Sequence, residues 1–190
     1  WATYGNGGDP FDPHAAIEQA LTALVKEAKR VTACDHVFLS HYDEQNKIFR
    51  TLAFDSTITP SSVSLEQKFR GDQYAAQQTV LINDLSYYNF RLRPEVARLG
   101  LHSLLGLPLI NASGLSGVLE CFSHDLQHFS DQDAENISVL AKHAALLIEK
   151  SLHTKACDRQ RIENQFLYEL QELEHASEGM LLYRFGETLQ

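Results

Sequence analysis

The sequence predicts an α+β fold: an antiparallel sheet with helices on both faces, followed by a long C-terminal helix. Three observations carry this. Two apolar runs of strand length, Ser103 to Ile110 and Leu115 to Phe122, are joined by Asn111-Ala112-Ser113-Gly114, whose Asn and Gly suit a hairpin loop. Alternation places Leu105, Leu107 and Leu109 on one face of the first run while Leu104 and Ile110 point to the other, so both faces need cover. From Ile137 through Leu173, no Pro or Gly interrupts a helical pattern.

The elements follow in order. Residues Trp1 to Phe11 are polar and Gly-rich and read as a poorly ordered lead-in. Asp12-Pro13 supplies an N-cap and a proline at the first helical position. Ile17, Leu21, Leu24, Val25, Ala28 and Val31 then recur at helical spacing, predicting a helix over Pro13 to Ala33. Strand-like runs His36 to Tyr42 and Ile48 to Phe54 flank the polar Asp43 to Lys47, the pattern of a hairpin. After the Thr-, Ser- and Pro-rich loop Asp55 to Ser62 come a short strand at Val63 to Leu65, a short helix over Gly71 to Gln78 and a brief strand at Thr79 to Ile82. Leu85 to Arg98 is irregular and aromatic, and reads as a lid. In the central hairpin, Pro108 cannot donate to a ladder and belongs at a bulge, strand end or edge, while Gly106 and Gly117 leave room for a close approach. Phe129-Ser130-Asp131-Gln132-Asp133 combines an apolar residue, a Ser cap and an acid three positions on, a capping box that opens the last helix, expected to run from Ser130 to about Ala176.

A chain of 190 residues with 44% hydrophobic content suits one domain and an extension. Its formal charge of -9, from 25 acidic against 16 basic residues, gives no basic footprint for nucleic acid. Without an apolar run of spanning length or a signal-peptide pattern, no membrane partner is expected and the expected compartment is the cytoplasm. Cys34, Cys121 and Cys157 are odd in number, far apart and without CxxC spacing, which fits reduced thiols rather than a disulfide framework or a zinc site.

The runs VSLEQKFRGDQYAAQQTVLINDL, RLGLHSLLGLPLINASGLSGVLECF and HFSDQDAENISVLAKHAALLIEKS resemble the GAF domain family of small-molecule sensory modules over Pro13 to Leu152. The most specific parts are the strand with Pro108, the loop with Gly114, the strand from Gly117 to Leu119 and the Phe129-Ser130 helix start. The resemblance implies a GAF-like antiparallel sheet with the first and last helices on one face, and loops and short helices closing over a ligand pocket on the other. The implied organisation is a lead-in over 1–12, a sensory domain over 13–152 and a helical linker or dimerisation segment over 153–190.

Asn83 to Arg91, NDLSYYNFR, resembles the region that caps the pocket in cyclic-nucleotide-binding members. The implied ligand-binding set is Tyr74, Tyr87, Tyr88, Phe90, Arg91, Arg93, His102 and Ser103. Tyrosines can stack on a ring, and Arg91 or Arg93 can meet an anionic group bidentately. The same aromatics can equally staple the loop to the sheet. Asn46-Lys47 lies in the first hairpin, so the cyclic-nucleotide signature is not traced and the small-molecule ligand stays unidentified. Covalent bilin attachment is not expected, because the matching neighbourhood, Arg91-Leu92-Arg93-Pro94-Glu95, holds no cysteine. Haem held by His102 is a lesser reading. His124 and His128, four apart in a loop, do not by themselves make a metal site.

No nucleophile elbow, Walker loop or H-E-x-x-H occurs. Some GAF enzymes reduce free methionine sulfoxide with paired cysteines, but no resolving pair is visible among the three here. The expected function is therefore a noncatalytic sensory domain that binds a small ligand and signals through its terminal helices to an effector. A ligand-free dimerisation module, with Tyr87, Phe90 and Leu101 filling the pocket, and a haem or bilin sensor are the alternatives. The stripe Ile162, Phe166, Leu167, Leu170 and Leu173 predicts a parallel homodimer through the C-terminal helix, joined by the first helix around Ile17, Leu21 and Leu24.

Overall fold

The computed structural model of the chain describes residues 13–57, 63–64, 71–87 and 99–187. The chain divides into two compact units, Trp1–Ser151 and Leu152–Gln190.

Helix α1 spans Pro13–Thr32 and buries the stripe Ile17, Leu21, Val25 and Ala28. Its last turn carries Lys29, whose ammonium lies 2.7 Å from the Asp55 carboxylate. Ala33, at φ 51°, then turns the chain into the sheet. Strands β1 (His36–Asp43), β2 (Ile48–Asp55), β3 (Val63–Ser64), β4 (Val80–Ile82), β5 (Ser103–Asn111) and β6 (Gly114–Ser123) form one sheet in the order β3-β2-β1-β6-β5-β4. Every neighbouring pair is antiparallel. The two predicted hairpins, β1–β2 and β5–β6, are thus joined through β1 and β6 at the centre.

The alternation of β5 is realised as expected. Leu105, Leu107 and Leu109 sit in the core under α1, while Leu104 is fully buried on the opposite face. Ile110 departs from the pattern: the register shifts between Leu109 and Ile110, and beyond that irregularity the side chain is 39% exposed. Strand β4 pairs only with Leu104 to Gly106, so Pro108 lies past its end, at an unpaired edge where its missing N–H costs nothing.

Two apolar clusters cover the sheet. Under α1, the sheet residues Val37, Leu39 and Leu119 pack with Ile137, Ala141, Ala144, Ala145 and Ile148 of helix α3 (Asp131–Glu187). On the other face, Phe38, Phe49, Leu104, Val118 and Phe122 pack with Tyr74 of helix α2 (Gly71–Ala75) and with Leu85 and Leu101. Helices therefore lie on both faces, as predicted.

Helix α2 is shorter than expected. Gln77 takes φ 57°, Gln77 N–H donates to Tyr74 O and Gln78 N–H to Gln73 O, a Schellman ending built on glutamine instead of glycine. At the start of α3 the capping box forms reciprocally. The Ser130 backbone N–H donates to Asp133 Oδ2 at 2.9 Å, and the Asp133 N–H donates to Ser130 Oγ at 3.3 Å. Helix α3 then runs for 57 residues, longer than the sequence suggests. The side chains of Ile162, Phe166, Leu167, Leu170 and Leu173 lie outside the described residues, as does the lead-in before Pro13.

Candidate functional site

The centre of the α2 face is a cross-strand row in which Phe38 stands opposite Glu120, Glu120 opposite Gly106 and Gly106 opposite Val80. Glu120 is 3% exposed, the one acid buried among the described residues. A carboxyl in such a place requires a hydrogen-bond partner. Tyr74 supplies one: its hydroxyl donates to Glu120 Oε1 at 3.2 Å. The ring reaches that position because residue 106 has no side chain. A Cβ there would overlap the Tyr74 hydroxyl and its ring carbon. Sequence explains each part separately: Gly106 opens the space, and alternation puts Glu120 on the same face as Val118 and Phe122. An acid in the middle of an apolar strand was the signal for this site, and its partner on α2 was not readable from it.

Among the residues implied by family resemblance, Tyr74 belongs to this buried cluster. Ser103 is also buried, but its hydroxyl donates to Asp125 O at 2.8 Å and so ties the loop after β6 to β5. His102 presents its side chain to solvent; its backbone N–H donates to Ser123 O, and its carbonyl accepts from Leu85 N–H. Tyr87 is 78% exposed rather than turned into the cluster, whereas Leu101 is buried within it. Tyr88, Phe90, Arg91 and Arg93 lie outside the described residues.

At one end of the same face, His36 is buried at the start of β1. Its Nδ1 lies 3.0 Å from Ser56 Oγ, its ring packs edge-on against His124 at 5.4 Å, and its Nε2 is buried without a hydrogen-bond partner among the described residues. Burial first, then the His124 and Lys29 charges, push the His36 pKa below 6.5, against the opposing pull of Asp35 and Asp55. The folded protein therefore holds the imidazole neutral, while the unfolded chain takes up a proton near pH ~6.5. The stability due to this group is complete above that pH and is lost as the pH falls through it toward the depressed folded value. The melting temperature is expected to drop between about pH 7.5 and about pH 5.5, with a shallower slope for His36→Gln. Parallel slopes for the two proteins would refute the assignment. His128 Nε2 pairs with Thr32 O at 2.7 Å, and no cluster of three metal-ligating side chains occurs among the described residues.

The far side of the sheet carries two further features. Cys34 and Cys121, far apart in sequence, lie in the same buried cluster under α1, a proximity that the sequence did not show; Cys157 is exposed on α3. Between α1 and α3 lies an apolar groove of about 520 Å³, lined by Ala20, Ala23 and Leu24 on one side and Leu140, Leu146 and Leu147 on the other. Leu146 is 63% exposed. Ile17 and Leu21, expected on a partner-facing surface of α1, are turned to the sheet instead, and Leu24 alone of the three reaches the groove.

An antiparallel sheet with two long helices on one face, and a short helix closing over a buried polar pair on the other, is the architecture of small-molecule sensory and regulatory domains. The chain belongs to the GAF domain family, whose model matches residues 14–149. Solved structures with this fold include the GAF domain of a phosphoenolpyruvate-protein phosphotransferase from Coxiella burnetii (21% identity, TM-score 0.66, covering 74% of this chain and 86% of that one). The type II free methionine-R-sulfoxide reductase of Thermoplasma acidophilum is similar at 16% identity and TM-score 0.64, covering 74% and 96% of the two chains. The blue-light-absorbing form of the Thermosynechococcus elongatus PixJ GAF domain aligns at 15% identity and TM-score 0.58, covering 83% and 98%. No curated protein matches the sequence. No helix among the described residues is long and apolar enough to cross a membrane.

Proposed function

We propose that this GAF domain is a noncatalytic sensor that binds a small molecule on the α2 face of its sheet and relays occupancy through its terminal helices to an effector, as a homodimer. The observation that carries the reading is Glu120, a carboxyl buried at the middle of an apolar face and hydrogen-bonded by the Tyr74 hydroxyl. Pockets that select small molecules combine such an apolar lining with a few placed polar groups. A ligand bearing an ammonium, amide or hydroxyl donor would take the place of the Tyr74 hydroxyl, and Arg91 or Arg93 would neutralise an anionic group on the same molecule.

The dimer reading rests on the groove between α1 and α3. An exposed Leu146 beside an apolar trough, on a helix that continues to Glu187, is the surface a second copy of the same helix pair would cover. One observation favours a ligand-free structural module instead: the Tyr74 ring already fills the space above Gly106.

Native mass spectrometry of the full chain as purified tests these readings together. A dimer carrying a small-molecule mass increment is expected, and Leu146→Lys, which places a charge in the groove without touching the core, is expected to give monomers that keep the increment. A bare dimer would support the structural module, a monomeric wild type would remove the dimer, and a visible absorption band would indicate a haem or bilin.

A further inference from the structure

Cys34 and Cys121 belong to the cluster under α1, on the face of the sheet opposite Tyr74 and Glu120. The turn at Ala33 folds Cys34 back onto the sheet, where its Sγ donates to His36 O at 3.6 Å. That carbonyl adjoins Val37, the residue directly opposite Cys121 in the β1–β6 register, so both thiols belong to the same cross-strand position under α1. Cys121 is completely buried, and Cys34, at the end of the helix, is buried with 4% exposure.

The two thiols are chemically unequal. The hydrogen bond from Cys121 lowers the Cys34 pKa; burial opposes it, and the Thr32 hydroxyl and the Lys29 charge add to it. The same bond, and then burial, raise the pKa of Cys121 well above its ordinary value. Cys34, at the helix end, is the member of the pair that is not completely buried, and the direction of its shift agrees with an attacking role, leaving Cys121 as the thiol that keeps its proton.

We propose that Cys34 and Cys121 are a redox pair that closes to a disulfide when the protein meets a hydroperoxide. The Cys34 thiolate attacks one peroxide oxygen, the O–O bond breaks, and hydroxide leaves and is protonated to water, so that Cys34 becomes a sulfenic acid. The Cys121 sulfur then attacks the Cys34 sulfur. The S–S bond forms, the S–O bond breaks, and the oxygen departs as a second water carrying the Cys121 proton. Two thiols are oxidised and one peroxide is reduced. The product ties the end of α1, the helix that lines the proposed dimer groove, to the central strand β6. The chemistry stands independently of whether the opposite face binds a ligand.

The test treats the native full chain with hydrogen peroxide, quenches with acid, and alkylates the remaining thiols in denaturant before peptide mapping. Both the wild type and Cys157→Ser are expected to lose the mass of two hydrogen atoms, to leave Cys34 and Cys121 unlabelled in one linked peptide pair, and to regain both labels after dithiothreitol. Full labelling of both cysteines, oxidation that stops at Cys34 sulfinic acid, or a bridge through Cys157 would each overturn the proposal. Because Cys157 is exposed, its replacement leaves the core intact, and neither result depends on a variant of the buried pair.

Discussion

Tyr74→Ala is expected to lower the unfolding free energy by about 3–5 kcal/mol, the range for removing a large buried aromatic. The side chain is fully buried and among the largest of those in its cluster, and it stands on a glycine, so its loss leaves a void over Gly106 that no neighbouring backbone can close. The variant also removes a hydroxyl from a buried carboxyl. Tyr74→Phe separates the two contributions: it keeps the ring and is expected to cost about 1–3 kcal/mol, the range for a lost hydrogen bond to an acidic group. Urea titrations of the three proteins measure both differences. Equal destabilisation by the two variants would show that the ring contributes little and the hydroxyl nearly everything, against the packing described here.

Gly117→Ala is expected to cost about 3 kcal/mol, the upper end of the range for overpacking. A Cβ at 117 would run into the carbonyl oxygen of Ser40 and the Cα of His41, both backbone atoms of the neighbouring strand. Strand β1 is held on both sides, by β2 and β6, and cannot move away without breaking one ladder. At Gly106 the nearest atoms to an added Cβ belong to the end of the Tyr74 side chain rather than to backbone, so Gly106→Ala should cost less in the same urea titration. The reverse order would place the rigid obstacle at 106 and contradict the account of both positions.

What the sequence made legible was local. Alternation in Leu105, Leu107 and Leu109 predicted a buried face, and the Ser130 to Asp133 spacing predicted a helix start. Both were right because strand alternation and cap spacing are set within a few residues of chain, whatever the face later packs against. The periodicity of α1 showed that Ile17 and Leu21 share a stripe but not what the stripe faces, and they went to the sheet core rather than to a partner. The end of α2 was misjudged because a left-handed Gln77 carries no composition signal of the kind glycine gives. The two pairings that define the candidate sites, Tyr74 with Glu120 and Cys34 with Cys121, join distant segments. Glu120 stands in the sequence as an acid within an apolar run, and the cysteines as scattered thiols. Only the register of β1 against β6, and the seat of α2 on the sheet, put the partners side by side.

That register also dictates the order of assembly. The middle of the sheet is the pairing of His36 with Phe122 through His41 with Gly117, whereas the flanking hairpins close over a few residues each. Closing the central ladder costs the entropy of everything between, so the hairpins are expected to form before the two are joined. During synthesis, β1 and β2 leave the ribosome with an unsatisfied edge on β1 that stays open until β6 has been made. A nascent chain stalled before Gly114 would carry that edge exposed, and is the species most exposed to capture by chaperones or by another β1.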